Sequence, residues 1–280
     1  MDIATAQIQE FPTPTPNPSL GGITAGPDGA VWFTEEFNVG RVTSAGIITE
    51  YPLPLSLAIV GVSGIATGSD GALWFPTINN KIARITTAGS VTSFAIPTPT
   101  AQPKAIAAGP DGALWFTESG AGKIGRITTV GTITELPTFV RGSAPFSITS
   151  GPDGAMWFTE VSLDVRAIGR ITTGGAITEF PVPNSPDTIT TGPDGALWFT
   201  EQFTGNGNTI GRITTSGQVS HFALPKPSGG VGIALGPDGA LYFTDLGTNS
   251  IGRITTAGTV TEVPIPTSNS LLAASKEGLN

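Results

Sequence analysis

Six near-copies of one ten-residue stretch set the architecture. "GPDGALWFTE" occupies Gly109–Glu118 and returns letter for letter at Gly192–Glu201. Close variants begin at Gly26, Gly68, Gly151 and Gly236, so the period is 41 to 44 residues. Repeats of this length, made of several short strands, are the sequence signature of a propeller. One unit runs from Ile148 to Pro183. In it "ITS" reads as a short first strand and "GPDG" as a turn, where Pro fixes φ and Asp-Gly reverses the chain. "AMWFTE" is a second strand, "VSLDVRA" a loop and "IGRITT" a third strand; "ITEFPVP" is a fourth strand stopped by prolines. The expected fold is all-β: a single β-propeller domain over 1–280, of four-stranded blades in six complete repeats.

The second strand lacks polar alternation, as a strand buried on both faces should. Its aromatic is Trp32, Trp74, Trp115, Trp157, Trp198 and then Tyr242. Six equivalent copies point to blade-to-blade core rather than to a stacked cofactor. The fourth-strand motif occurs a seventh time, at Ile8–Pro12, before any complete unit. A strand over 7–12 is expected to close the last blade from outside, because closure removes open sheet edges. The segment 268–278 resembles a partial seventh repeat, with "SKEG" in place of "GPDG". Closure with six blades and closure with seven both fit.

Composition excludes several functions. The chain has no Cys, which removes disulfides, Cys–metal sites and thiol catalysis. The formal net charge of −8 and the lack of any basic run argue against a nucleic-acid partner. No apolar segment is long enough to span a membrane and no signal peptide is visible, so a cytoplasmic monomer is expected if Met1 is the native start. No G-x-S-x-G elbow occurs, and His221 is the only histidine.

Comparison of the copies separates scaffold from candidate site. Six of the eight arginines, Arg41, Arg84, Arg126, Arg170, Arg212 and Arg253, share one slot on the third strand. An acid closes the second strand as Glu35, Glu118, Glu160, Glu201 and Asp245, while blade two has Thr77. One reading pairs this acid with the arginine across the hairpin. The other turns the carboxylates toward the central channel, with Glu118, Glu160 and Glu201 holding a hard cation such as Mg²⁺. His221 stands where other copies place Glu10, Glu50, Glu135, Glu179 and Glu262 on the outermost strand, a slot expected to be a solvated edge.

The slot two residues before the first-strand Ile changes in every copy: Gly21, Ser63, Lys104, Phe146, Asp187 and Val231. The start of strand one and the end of strand two lie at the same end of an antiparallel blade. Ser63, Lys104, Phe146, Asp187 and Val231 are therefore expected to rim one mouth of the central channel and bind a small molecule or peptide there. Drift at an exposed position is the alternative.

The unit "GPDGALWFTE…IGRITT.G.ITEFP.P" resembles the repeat of the virginiamycin B lyase (streptogramin lyase) family from Gln7 to about Gly278, with grammar shared by NHL-repeat propellers. The resemblance implies a seven-bladed propeller and a magnesium-assisted elimination that linearises a cyclic depsipeptide by C–O cleavage. The family's catalytic histidines and their neighbours would fall on Val231, Ser270 and Ser268, and a family tyrosine on Gly21. None matches, so no catalytic residue carries over. Three functions follow as expectations: a binding or interaction scaffold, an active Mg-dependent lyase using another base such as Lys104, or a purely structural repeat protein.

Overall fold

Each repeat folds into one antiparallel four-stranded sheet. The computed structural model describes residues 8–16, 18–59, 64–138, 142–162, 166–202, 209–225 and 230–267. The first sheet is β1 (Leu20–Ala25), β2 (Val31–Glu35), β3 (Asn38–Val42) and β4 (Ile48–Pro52). The second is β5 (Ala66–Thr67), β6 (Leu73–Thr77), β7 (Lys81–Ile85) and β8 (Val91–Ala95). The third is β9 (Pro103–Ala108), β10 (Leu114–Glu118), β11 (Lys123–Ile127) and β12 (Ile133–Pro137). The fourth is β13 (Pro145–Ser150), β14 (Ala155–Val161), β15 (Arg166–Thr172) and β16 (Ile177–Pro181). The fifth is β17 (Ser185–Thr191), β18 (Ala196–Gln202), β19 (Thr209–Thr214) and β20 (Val219–Ala223). The sixth is β21 (Gly230–Leu235), β22 (Leu241–Asp245), β23 (Ser250–Ile254) and β24 (Val260–Pro264). Strand order within each sheet is sequential. This is a β-propeller of six four-stranded blades, as the period requires. The described residues fall into two compact units, one of 11–146 and one of 8–10 with 147–267.

The core is made where one blade lies on the next within a unit. All five tryptophans are fully buried. Trp74 of the second blade packs on Leu114, Phe116 and Ile127 of the third, and Trp157 of the fourth on Leu197, Phe199 and Ile213 of the fifth. A strand clamped in this way has no wet face, which explains its unbroken apolar run. Fourth-strand rings stack on the same tryptophans: Trp32 on Tyr51, Trp74 on Phe94, Trp157 on Phe180 and Trp198 on Phe222, with centroids 5.1–5.6 Å apart. On the other face Phe116 lies flat on Gly125, where a Cβ would sit 2.1 Å from the ring. The glycine of each "GR" pair leaves room for this ring, and blade two fits Ala83 in the same slot opposite Phe75.

The repeated arginine does not pair with the acid closing strand two. Arg126 lies opposite Trp115, an odd number of residues from Glu118, so the two side chains leave opposite faces of the sheet. Its partner is the turn aspartate. Asp111 accepts from the Trp115 indole N–H at 3.1 Å through Oδ1 and from the Arg126 guanidinium at 2.6 Å through Oδ2. Asp28, Asp70, Asp153 and Asp194 do the same in their blades; in the sixth, Asp238 takes the Tyr242 hydroxyl and Arg253. Burial pushes the Asp111 carboxyl up, but the bonds from Trp115 and Arg126 outweigh it and hold it below the usual carboxylate range.

Two other expectations change. Residues 8–12 do not form a strand, and the sixth sheet has its own outer strand in β24. Glu10 nonetheless accepts a hydrogen bond from the Thr267 hydroxyl at 2.6 Å, much as Glu135 accepts from the Thr98 N–H. The "VSLDVRA" loop is also shorter than read, because Val161, Arg166 and Ala167 belong to strands. Residues 268–278 lie outside the described residues.

Candidate functional site

The variable slot is a β-bulge. On β9 and β10, Phe116 faces Ile106 and Glu118 faces Pro103, so Lys104 and Ala105 together oppose the single Thr117. Asp187 and Thr188 oppose Thr200, and Val231 and Gly232 oppose Thr244, by the same shift of register. Gly21 and Gly22 oppose Thr34 on β1 and β2. An extra residue bends its strand and re-aims the side chain at that point, a device found beside active sites. The bulge itself was not read from the sequence. Its signal was there: the Thr before each strand-two acid, with two residues of strand one to answer it.

Threonine hydroxyls fix the bulge backbone. The Ala105 N–H donates to Thr117 Oγ1 at 3.0 Å, Ser147 to Thr159 at 3.0 Å, Thr188 to Thr200 at 3.1 Å and Gly232 to Thr244 at 2.9 Å. The Thr117 hydroxyl donates onward to the Phe146 carbonyl, Thr159 to that of Asp187 and Thr200 to that of Val231. Pro76 replaces this threonine in blade two. Lys104 and Phe146 are half-buried, Asp187 and Val231 are buried, and Ser63 lies outside the described residues. Lys104 and Phe146 belong to one unit, Asp187 and Val231 to the other.

The acids closing strand two sit deep in the sheets. Glu118 and Glu160 are 0% exposed and Glu201 is 1% exposed. Glu118 shares a face with Phe116 and with Glu135, which lies opposite Gly125 on the outer strand. Burial and the adjacent Glu135 charge push the Glu118 carboxyl up to about 8. Neither of its oxygens has a hydrogen-bond donor in the structure, which favours the neutral acid. On Glu135, burial is outweighed by bonds from Thr98 and the charge of Lys123, 3.5 Å away, so this carboxyl is held low. The pair therefore holds one proton, on Glu118. Glu35 is also raised, by burial and by Glu50, against a bond from Asn38.

The outer-strand slot is thus not merely a solvated edge. Glu50 and Glu135 are half-buried and reach inward across the strand-three glycine. His221 is exposed, as the edge reading expects, yet its Nδ1 lies 3.0 Å from Oε2 of the buried Glu201, which also accepts from Asn184 at 3.2 Å and from the Thr209 hydroxyl. Blade two has Thr77 and Ser93 in the two slots, so the acids are absent together.

Among the described residues no group of three or more His, Asp or Glu side chains could hold a metal ion. No helix among them is long and apolar enough to cross a membrane.

Fold and site define a class: a propeller whose blades share one rigid joint at the turn end and differ at a bulged residue at the other. The profile of the virginiamycin B lyase family matches residues 3–143 and again 138–277. The chain belongs to the virginiamycin B lyase family. The virginiamycin B lyase of Staphylococcus aureus is 42% identical over 89% of this chain and 85% of its own, with a TM-score of 0.81. A streptogramin B lyase structure is 38% identical over 93% of this chain and 88% of its own, with a TM-score of 0.85. A catalytically inactive histidine-to-alanine form of the Staphylococcus enzyme, with quinupristin, is 40% identical over 95% of this chain and 89% of its own, TM-score 0.84. No curated protein matches the chain.

Proposed function

We propose that this protein is a ligand-binding member of the virginiamycin B lyase family that takes a cyclic depsipeptide of the streptogramin B type without opening it. One observation carries this reading: in the described bulges threonine hydroxyls bond the backbone, while the side chain of the slot differs in every copy. Lys104 and Phe146, in one unit, offer a cation and an aromatic face, a pair suited to a peptide of mixed polarity; in the other unit the same slot carries Asp187 and Val231.

The chemistry of elimination speaks for binding without turnover. Removing a proton next to a carbonyl needs a base within reach, most often a histidine. A histidine is replaced in the inactive relative that holds quinupristin. The only histidine here, His221, is on the outer strand β20 with one ring nitrogen engaged by Glu201. The candidate metal ligands Glu118, Glu160 and Glu201 are buried inside three different blades. The test is incubation with quinupristin and Mg²⁺, with and without EDTA, followed by chromatography of the ring-opened product. Binding without ring opening is expected. Metal-dependent opening that EDTA abolishes would establish the lyase instead.

A further inference from the structure

The threonines facing the bulges do more than close their own blades. In the unit of 8–10 and 147–267 the Thr159 and Thr200 hydroxyls each accept from one peptide group and donate to another, and Thr244 accepts from a third. The Ser147 N–H donates to Thr159 Oγ1, whose hydroxyl donates to the Asp187 carbonyl at 2.7 Å. That carbonyl belongs to the peptide whose N–H, on Thr188, donates to Thr200 Oγ1. The Val231 carbonyl accepts from the Thr188 hydroxyl at 2.5 Å and from the Thr200 hydroxyl at 3.2 Å, the two hydroxyls lie 3.0 Å apart, and the same peptide's N–H, on Gly232, donates to Thr244 Oγ1. The links at Asp187 and Val231 are the peptide groups of the variable slots themselves. Thr159, Thr200 and Thr244 occupy one position of the repeat, and Thr159 and Thr200 are 0% exposed.

We propose that Thr159, Thr200 and Thr244 are positioning residues that tie the slots of Asp187 and Val231 into one hydrogen-bonded relay. A peptide whose carbonyl accepts a bond donates more strongly through its own N–H, so successive links reinforce one another in a site shielded from water. A slot shifted by a ligand would pull on the carbonyl held by the preceding threonine and on the N–H held by its own. The slots are then read together rather than one by one, a coupling carried by named, contiguous bonds. The use made of this coupling rests on the ligand-binding reading; the relay itself does not.

The experiment follows backbone amides by hydrogen exchange in the full chain, for the unsubstituted protein, Thr159→Val and Thr159→Ser. Valine keeps the shape and removes the hydroxyl. The Ser147 amide loses its acceptor directly. The informative amide is Thr188, whose acceptor Thr200 is untouched; its exchange should speed up roughly fivefold or more, the worth of one net hydrogen bond. Serine should restore it. Amides of β15 and β16 should keep their rates, which a merely global loss of stability would not allow. A Thr188 rate unchanged in Thr159→Val, or raised equally with β15 and β16, overturns the relay. Should the valine variant not fold, the unsubstituted protein decides: the relay requires a slowly exchanging Thr159 hydroxyl proton, and its absence contradicts it. No ligand enters this test. Its failure leaves the ligand reading standing, and loss of the ligand reading leaves the relay standing.

Discussion

The two ends of a blade obey different rules. At the turn end, aspartate, aromatic and arginine interlock in the same way in all six blades. At the bulged end the backbone is held alike but the side chain runs from Gly21 through Lys104 and Asp187 to Val231. A joint on which every blade depends leaves no room for change. A side chain mounted on a bulge is free to change because threonine hydroxyls, not the side chain, hold the backbone. Constancy and variation thus sit at opposite ends of the same strands.

Breaking the turn end should cost most. Trp115→Ala removes a fully buried ring from the blade contact and should destabilise by about 3–5 kcal/mol, measured by denaturant unfolding. Asp111→Ala leaves the Trp115 indole N–H and the Arg126 guanidinium without their acceptor; a loss of about 2–3 kcal/mol is expected. Equal stability of either variant would remove the joint from the account.

The acid pair gives a smaller, pH-dependent effect. Glu118 is raised in the folded chain from its ordinary value of 4.5 to about 8. The folded state therefore binds its proton more tightly than the unfolded chain does. That contribution is complete below about pH 4.5 and is lost as pH rises toward 8. Glu118→Gln mimics the neutral acid and should flatten the fall of Tm between pH 5 and 8. A wild-type Tm that rises across this range would contradict the assignment. Blade two, with Thr77 and Ser93, shows that the fold does without the pair. At the bulged end, Lys104→Ala should leave stability within about 0.5 kcal/mol, as surface-type substitutions do.

Much of this fold was legible because it is local. The period, the Pro-Asp-Gly turns and the unbroken Leu-Trp-Phe run each follow from a few adjacent residues. What escaped depended on register. Whether Arg126 meets Glu118 or Asp111 turns on which face each side chain leaves by, and on a partner fifteen positions away. The acid pairs could have been found: Thr77 and Ser93 lose both acids in one blade, and Glu201 with His221 changes one of them in another. The bulge at the variable slots is fainter in the sequence, since one extra residue in a short strand leaves no compositional mark beyond the Thr before each strand-two acid. Residues 8–12 carry the contacts of a fourth strand without its ladder: Glu10 is bonded by Thr267, and the Phe11 ring lies on Gly46 as Tyr51 lies on Gly89.

The division between the two ends is tested most directly by titrating quinupristin into three proteins under calorimetry: the unsubstituted chain, Lys104→Ala and Asp111→Asn. Asp111→Asn keeps an acceptor for the Trp115 indole, so the blade remains folded. The account predicts that Lys104→Ala weakens binding severalfold with stability unchanged, while Asp111→Asn lowers stability and leaves affinity alone. Affinity that follows stability, falling in Asp111→Asn and not in Lys104→Ala, would contradict it.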